Sequence, residues 1–218
     1  MLDLTRQSGL IPTDVAAETS VCIVGAGAIG SHVAEVLCKM GIRKIRVIDY
    51  DTIEPHNLPN QGYYLDDLGK LKVEALAERL KRGTGAEVVA DASKLERITR
   101  FQEDVMIAAV DSMDVRRLIF DCFQASTKCQ VLLDGRMGAR VAQVHFVDKS
   151  EERLSRYEGS LVSDSETIQE PCTMRSTIFC AYGIASVMGA LLAKHLMGET
   201  PQKVADLDFS HMFMDRVA

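Results

Sequence analysis

A three-layer α/β domain, its sheet mostly parallel but antiparallel towards the C-terminus, is what this 218-residue chain predicts. Three observations carry that expectation. Val21-Cys-Ile-Val24 is a short apolar run closing on Gly25-Ala-Gly27-Ala-Ile-Gly30, as when a buried strand turns sharply into a helix. Residues 104–109 are almost continuously apolar, as a parallel strand covered on both faces should be. Residues 139–147 alternate, with Arg140, Gln143 and His145 against Val141, Val144 and Phe146, which fits an antiparallel strand with one wetter face.

The elements follow in order. Residues 1–18 form an N-terminal arm with a short helix. A strand at 20–25 leads into a helix at 28–40, ended by Gly41. A second strand spans 44–49. Residues 50–64 make a loop long enough to be functional rather than merely connecting. A helix at 67–83 breaks at Gly83-Thr-Gly85, and a strand at 86–91 and a short helix or turn at 93–101 lead to the strand at 104–109. Then come a helix at 112–126, a strand at 130–134 and the alternating strand.

Residues 148–172 are the long polar segment, read as a surface loop crossing over a substrate tail. The helix at 174–197 is apolar nearly all round, so it is buried in the core or against another subunit. Arg175, Ser176, Ser186 and Lys194 bracket an apolar centre too short for a membrane span. The tail, 201–218, adds an edge strand at 204–209. No repeat or low-complexity run divides the chain, so residues 1–218 are read as one domain.

Composition narrows the function. Apolar content of 47% and charged content of 26% suit a soluble globule. A net charge of −6 argues against general nucleic-acid binding. None of the six cysteines forms C-x-x-C, so no structural zinc is expected. With no signal peptide at the start, free thiols in a reducing cytoplasm are the simplest expectation. Cys22, Cys38 and Cys122 read as core residues.

The glycines divide the work of binding phosphate. Gly25 permits the tight turn, Gly27 lets phosphate approach the backbone, and Gly30 allows close helix–strand packing, with free N–H groups facing the anion. Asp49 lies 19 positions after Gly30 and ends a strand, where an acid accepts hydrogen bonds from ribose hydroxyls. These features alone would suggest NAD and an NAD-dependent oxidoreductase.

The next residues argue otherwise. Asp49-Tyr-Asp51-Thr-Ile-Glu-Pro-His-Asn57-Leu-Pro-Asn60-Gln61, then Gly69-Lys-Leu-Lys72, resembles the ubiquitin-activating-enzyme-like adenylyltransferases. That family includes the molybdopterin-synthase and thiazole-biosynthesis adenylyltransferases. The resemblance runs from about Arg6 to about His195. It implies ATP- and Mg²⁺-dependent activation of the C-terminal carboxylate of a small carrier protein or peptide, in a homodimer.

Residue by residue, the resemblance implies that Asp49 holds ribose and Asn57 lies beside the phosphates. Lys72 neutralises the triphosphate, and Asp111 helps hold Mg²⁺. Arg6 reaches the partner subunit's ATP. Asp51, Asn60 and Gln61 complete the nucleotide-binding set. The plainer alternatives are a solvated helix lysine at Lys72, a helix cap at Asp111 and a tail residue at Arg6.

One position departs. The family reads Asn-Leu-x-Arg-Gln, and here Asn60 stands where that arginine contacts the γ-phosphate. A neutral amide cannot stabilise developing charge as a guanidinium does. Arg136, expected after a strand end near the same sheet edge, is the proposed replacement. The other outcome is a nucleotide-binding protein of this fold that has lost catalysis. Finally, Glu170-Pro-Cys172-Thr-Met-Arg175 resembles the Cys-Thr-x-x-Arg/Lys setting of the catalytic cysteine in thioester-forming relatives. The alternative is a thiol that anchors the following helix.

Overall fold

In a computed structural model, which describes residues 2–96, 100–162 and 176–217, eight strands share one sheet in the order β3-β2-β1-β4-β5-β6-β7-β8. β1 (Ser20–Val24), β2 (Lys44–Ile48), β3 (Val88–Asp91), β4 (Val105–Ala108) and β5 (Val131–Gly138) run parallel. β6 (Val141–Asp148), β7 (Val204–Asp208) and β8 (Phe213–Val217) continue antiparallel. The change of direction expected at residue 139 is therefore observed. β7 was expected at the edge, but β8 lies outside it.

Helices cover both faces, completing the three layers. α2 (Ala28–Met40), α3 (Lys72–Thr84) and α6 (Ile178–Leu196) pack on one face with Val21, Ile23, Leu133, Val144 and Phe146. α4 (Met113–Ala125) and α5 (Glu151–Gly159) pack on the other with Cys22, Met106 and Leu132. Alternate residues of one strand thus feed two separate cores, which is why the central strands read as unbroken apolar runs. α6 is long and apolar enough to cross a membrane by length and composition. Its inner side, including Ile184, Ala185, Met188 and Leu192, is instead buried in the domain core.

Two expectations are corrected. The 148–172 loop is a helix over its first part: Arg153 and Tyr157, one turn apart, are both buried. Arg153 lays its guanidinium over Phe146 and donates to Phe146 O at 3.1 Å and Pro201 O at 2.7 Å. A long cationic side chain can be buried when its stem packs and its donors are satisfied. Residues 163–175, with Cys172, lie outside the described residues. The helix expected from 67 begins at Lys72, because Leu65–Asp67 makes a 3-10 turn and Gly69 adopts φ +82°.

The N-terminal arm holds a 3-10 turn at Thr5–Gln7 and α1 (Thr13–Glu18). It lies against the C-terminal end of α2: Gln7 Nε2 donates to Lys39 O at 3.1 Å, and the Leu4 side chain sits beside Gly41.

Candidate active site

α2 follows β1 on one face and α4 follows β4 on the other, so the neighbouring ends of β1 and β4 form a topological switch point. Ligands of such sheets bind in the crevice this creates. The glycine turn fills it. Gly25 has φ +97°, and a Cβ there would lie 2.4 Å from Ala109 O. At Gly30 a Cβ would lie 1.8 Å from Gly25 O. Gly27, the N-cap of α2, has nothing within 4 Å of its Cβ position. The first and third glycines are thus required by close approach, and the second leaves an open cradle before the free N–H groups of α2.

Asp49 braces that cradle. Its Oδ2 accepts from Ala26 N–H at 2.7 Å and its Oδ1 from Asp51 N–H at 2.8 Å. Tyr63 Oη donates to Ala26 O at 2.6 Å; burial and the Asp49 charge push its phenol well above the ordinary value. Asp51 in turn pairs with Lys72, Nζ to Oδ2 at 2.8 Å. Lys72 is buried, not the solvated lysine of the plainer alternative. Asn57 is also buried, and its Oδ1 accepts from Glu54 N–H at 2.8 Å, fixing the loop that carries Asn60 and Gln61. Asn60 Oδ1 and Gln61 Oε1 are buried with no hydrogen-bond partner among the described residues.

Asp111 follows β4 and is exposed. It is not the cap of α4: Ser112 is, with its Oγ accepting from Val115 N–H at 3.3 Å. The Asp111 carboxylate makes no hydrogen bond or ion pair among the described residues. One free carboxylate beside a phosphate cradle suits Mg²⁺, which is commonly held by one or two carboxylates together with substrate phosphates. Among the described residues, no three His, Cys, Asp or Glu side chains gather as a metal centre.

Arg136, expected to stand in for the missing arginine, is engaged inside the domain. Its Nε donates to Asp134 at 2.6 Å, and its Nη1 and Nη2 donate to Ser160 O at 3.1 Å and Ser160 Oγ at 3.0 Å. The guanidinium also lies over the Tyr157 ring. Each of its three nitrogens has an internal partner, a geometry that favours a role within the domain over one at the phosphates. Arg116, which the sequence reading passed over, completes the network. It is buried, with Nε on Asp134 Oδ1 at 2.8 Å and Nη2 on Gly135 O at 2.8 Å. Burial pushes the Asp134 carboxyl up, but the two arginines more than offset this and hold it below the usual range. Asp134 is in register with Ala108, so the network underpins the strand end from which Asp111 departs. Arg116 sits one turn beyond Ser112 on an otherwise apolar helix face, the one signal that could have marked it.

Arg6 is exposed at the far end of α2. The helix is 13 residues long, which places the arm about 20 Å from its own glycine turn at 1.5 Å per residue. An arginine does not span that distance.

These features agree with the comparisons. A family model described as the ThiF family matches residues 6–217. The chain is 34% identical over 111 residues to the NEDD8-activating enzyme E1 catalytic subunit of Arabidopsis thaliana, covering 49% of this chain and 24% of that protein. It is 31% identical over 113 residues to the adenylyltransferase and sulfurtransferase MOCS3 of Sus scrofa, covering 48% and 24% respectively. This chain therefore aligns with about a quarter of the length of those relatives. Among solved structures, E. coli MccB with ATP superposes with a TM-score of 0.72 at 18% identity, covering 94% of this chain and 65% of that one. MccB with MccA gives 0.74 at 20%, with the same coverage. At that identity the likeness speaks for the fold alone. A mostly parallel sheet, a glycine cradle at its switch point and a family match over almost the whole length agree: this chain belongs to the ThiF family.

Proposed function

We propose that this chain adenylates the C-terminal carboxylate of a small ubiquitin-like or sulfur-carrier protein, or of a peptide. One observation carries the reading: a continuous chain of contacts from Ala26 through Asp49 and Asp51 to the Lys72 ammonium. A dinucleotide oxidoreductase accounts for Asp49 but gives Lys72 no task.

In the reaction, a carboxylate oxygen attacks the α-phosphorus. The bond to the bridging oxygen breaks and pyrophosphate leaves with its electron pair. The carboxylate is already ionised at neutral pH, so no general base is required. Both reactants are anions, and the protein's task is to cancel charge and fix position. The open N–H groups behind Gly27 receive phosphate, Asp49 takes ribose, and Lys72 moves from Asp51 to the triphosphate. Bound Mg²⁺, which Asp111 would hold, adds charge neutralisation.

The finer features belong to the same proposal. The protein works as a homodimer in the cytoplasm, with Arg6 serving the partner's site, because its own is out of reach. Thioester formation on Cys172 is the optional following step. Asn60, with Arg136 engaged elsewhere, favours one rival reading: a nucleotide binder that has lost catalysis. ATP–pyrophosphate exchange in the presence of peptides ending in Gly-Gly, with mass-spectrometric detection of the acyl-adenylate, separates them. ATP binding without exchange or adduct for any carboxylate offered would overturn the adenylation reading.

A further inference from the structure

The backbone of Ala26 is held on both sides. Its N–H donates to Asp49 Oδ2 at 2.7 Å, and its carbonyl accepts from Tyr63 Oη at 2.6 Å. The first backbone bond of α2 goes to the next carbonyl, from Ser31 N–H to Gly27 O at 3.0 Å. Among the described residues Tyr63 is thus the donor that reaches Ala26 O, and its hydroxyl has no other acceptor. Tyr63 is buried, and the loop that carries it is clasped to α2 by Gly62 N–H donating to Ser31 Oγ at 2.9 Å.

A trans peptide is planar, so its C=O and N–H point in opposite directions. The Ala26 carbonyl and the Gly27 N–H share one such plane. With the carbonyl turned to Tyr63, the Gly27 N–H points away from the loop. Gly25 N–H is taken by Ile48 O at 2.8 Å and Ala26 N–H by Asp49, but Gly27 N–H has no partner among the described residues. It is the first donor of the turn open to a ligand, beside a Cβ position with nothing within 4 Å.

Glycine leaves this orientation undecided. Turning the plane by half a revolution would carry Gly27 from φ −77° to about +103°, a region glycine enters as readily as the first. In that form the N–H would face Tyr63, and the buried hydroxyl would lose its acceptor, which is costly. A carbonyl oxygen would then take the place of the open donor. Burial keeps the phenol protonated, so it remains a donor.

We propose that Tyr63 is a positioning residue for phosphate: its hydroxyl selects the orientation of the Ala26–Gly27 peptide in which the Gly27 N–H is offered to an oxyanion. The identity of that anion as the phosphates of ATP rests on the adenylation reading above.

Tyr63→Phe, which removes one oxygen and keeps the ring, tests this on the whole chain, with thermal melting as the check on folding. Calorimetric titration with MgATP is expected to show binding about three- to tenfold weaker than in wild type, the size of one neutral hydrogen bond. Adenosine, which has no phosphate, is expected to bind within about twofold of wild type, because Asp49 is untouched. In the proton–nitrogen correlation spectrum of the nucleotide-free protein, the Gly27 amide is expected as one sharp signal in wild type and as a broadened or doubled one in Tyr63→Phe. Equal losses for adenosine and MgATP would make Tyr63 merely structural and overturn the proposal, as would MgATP binding equal to wild type. If adenosine binds wild type too weakly to titrate, the amide decides, and one sharp signal in Tyr63→Phe overturns the proposal. Wild type that binds MgATP but catalyses no exchange would sink the adenylation reading alone, since binding and the amide signal are still read. Wild type that binds no MgATP sinks both.

Discussion

Lys72 and Asp51 form an asymmetric ion pair: at 2.8 Å the ammonium is buried and the carboxylate is half exposed. The asymmetry makes the two partners unequal. Lys72→Met removes the buried charge and leaves a carboxylate that water can solvate. Asp51→Asn strands a buried ammonium, at a cost of about 1–3 kcal/mol. Thermal melting is expected to show Asp51→Asn as the less stable variant. Pyrophosphate exchange is expected to fall at least about a hundredfold in Lys72→Met, on the scale of a lost charge-stabilising donor.

The glycine turn separates folding from binding. Gly30→Ala is expected to unfold or severely destabilise the protein, because the added carbon collides with Gly25 O. Gly27→Ala meets no neighbour, and although φ −77° with ψ −148° lies outside the main β region, its melting temperature should fall far less than that of Gly30→Ala. Its ATP affinity should drop, since the methyl group occupies the phosphate approach. Equal effects of the two substitutions on stability would contradict this division.

Arg6 can act only across an interface, given the length of α2. Arg6→Ala is expected to keep the wild-type melting temperature and oligomeric state yet lose turnover. Mixing it with Lys72→Met should restore part of the activity, since a mixed dimer holds one intact composite site. No recovery in the mixture would show that the arginine serves no neighbouring site.

Arg116→Ala and Arg136→Ala each leave the fully buried Asp134 with one cation instead of two. Breaking a buried pair costs about 3–5 kcal/mol, and urea titration should show a loss of that order for Arg116, the more buried arginine. For Arg136→Ala, exchange per folded molecule should stay near wild type, in keeping with its internal partners. A large fall in exchange with unchanged stability would return Arg136 to the phosphates.

His145 carries a pH signature. Burial and the Arg136 cation push its pKa down to about 4. The unfolded chain, with a histidine near about 6.5, binds protons more tightly than the folded one in this range. Its contribution to stability is therefore complete above about 6.5 and lost as pH falls towards about 4. Urea titrations across that window should show the unfolding midpoint falling with acid, and falling less in His145→Gln.

Much of this architecture was legible because it rests on local signals. The glycine spacing fixed β1, the turn and α2, and unbroken or alternating apolar runs separated β4 from β6. The failures share a cause. α5 was hidden because Arg153 and Tyr157 read as polar, although Phe146 and Pro201 engage the first and Phe120 and Asp134 the second. β8 was missed because Ser210-His211-Met212 ends one strand before another begins, with Met212 at φ +53°. At the site, the structure sets Asp49 against Ala26 of the glycine turn and Lys72 against Asp51. The Arg116–Asp134 and Asn60–Ser176 contacts join residues 18 and 116 positions apart, and only the folded sheet brings them together.

Gly25 and Gly30 meet backbone against backbone, with no side chain between them. A joint of that kind has no rotamers to freeze, so an arriving nucleotide finds its donors already aimed. The ordering entropy then falls on the nucleotide's own torsions rather than on the protein. Asn60 and Gln61 lie on a separate loop, so a change there can alter what is held at the distal end of the triphosphate while the receptacle keeps its shape.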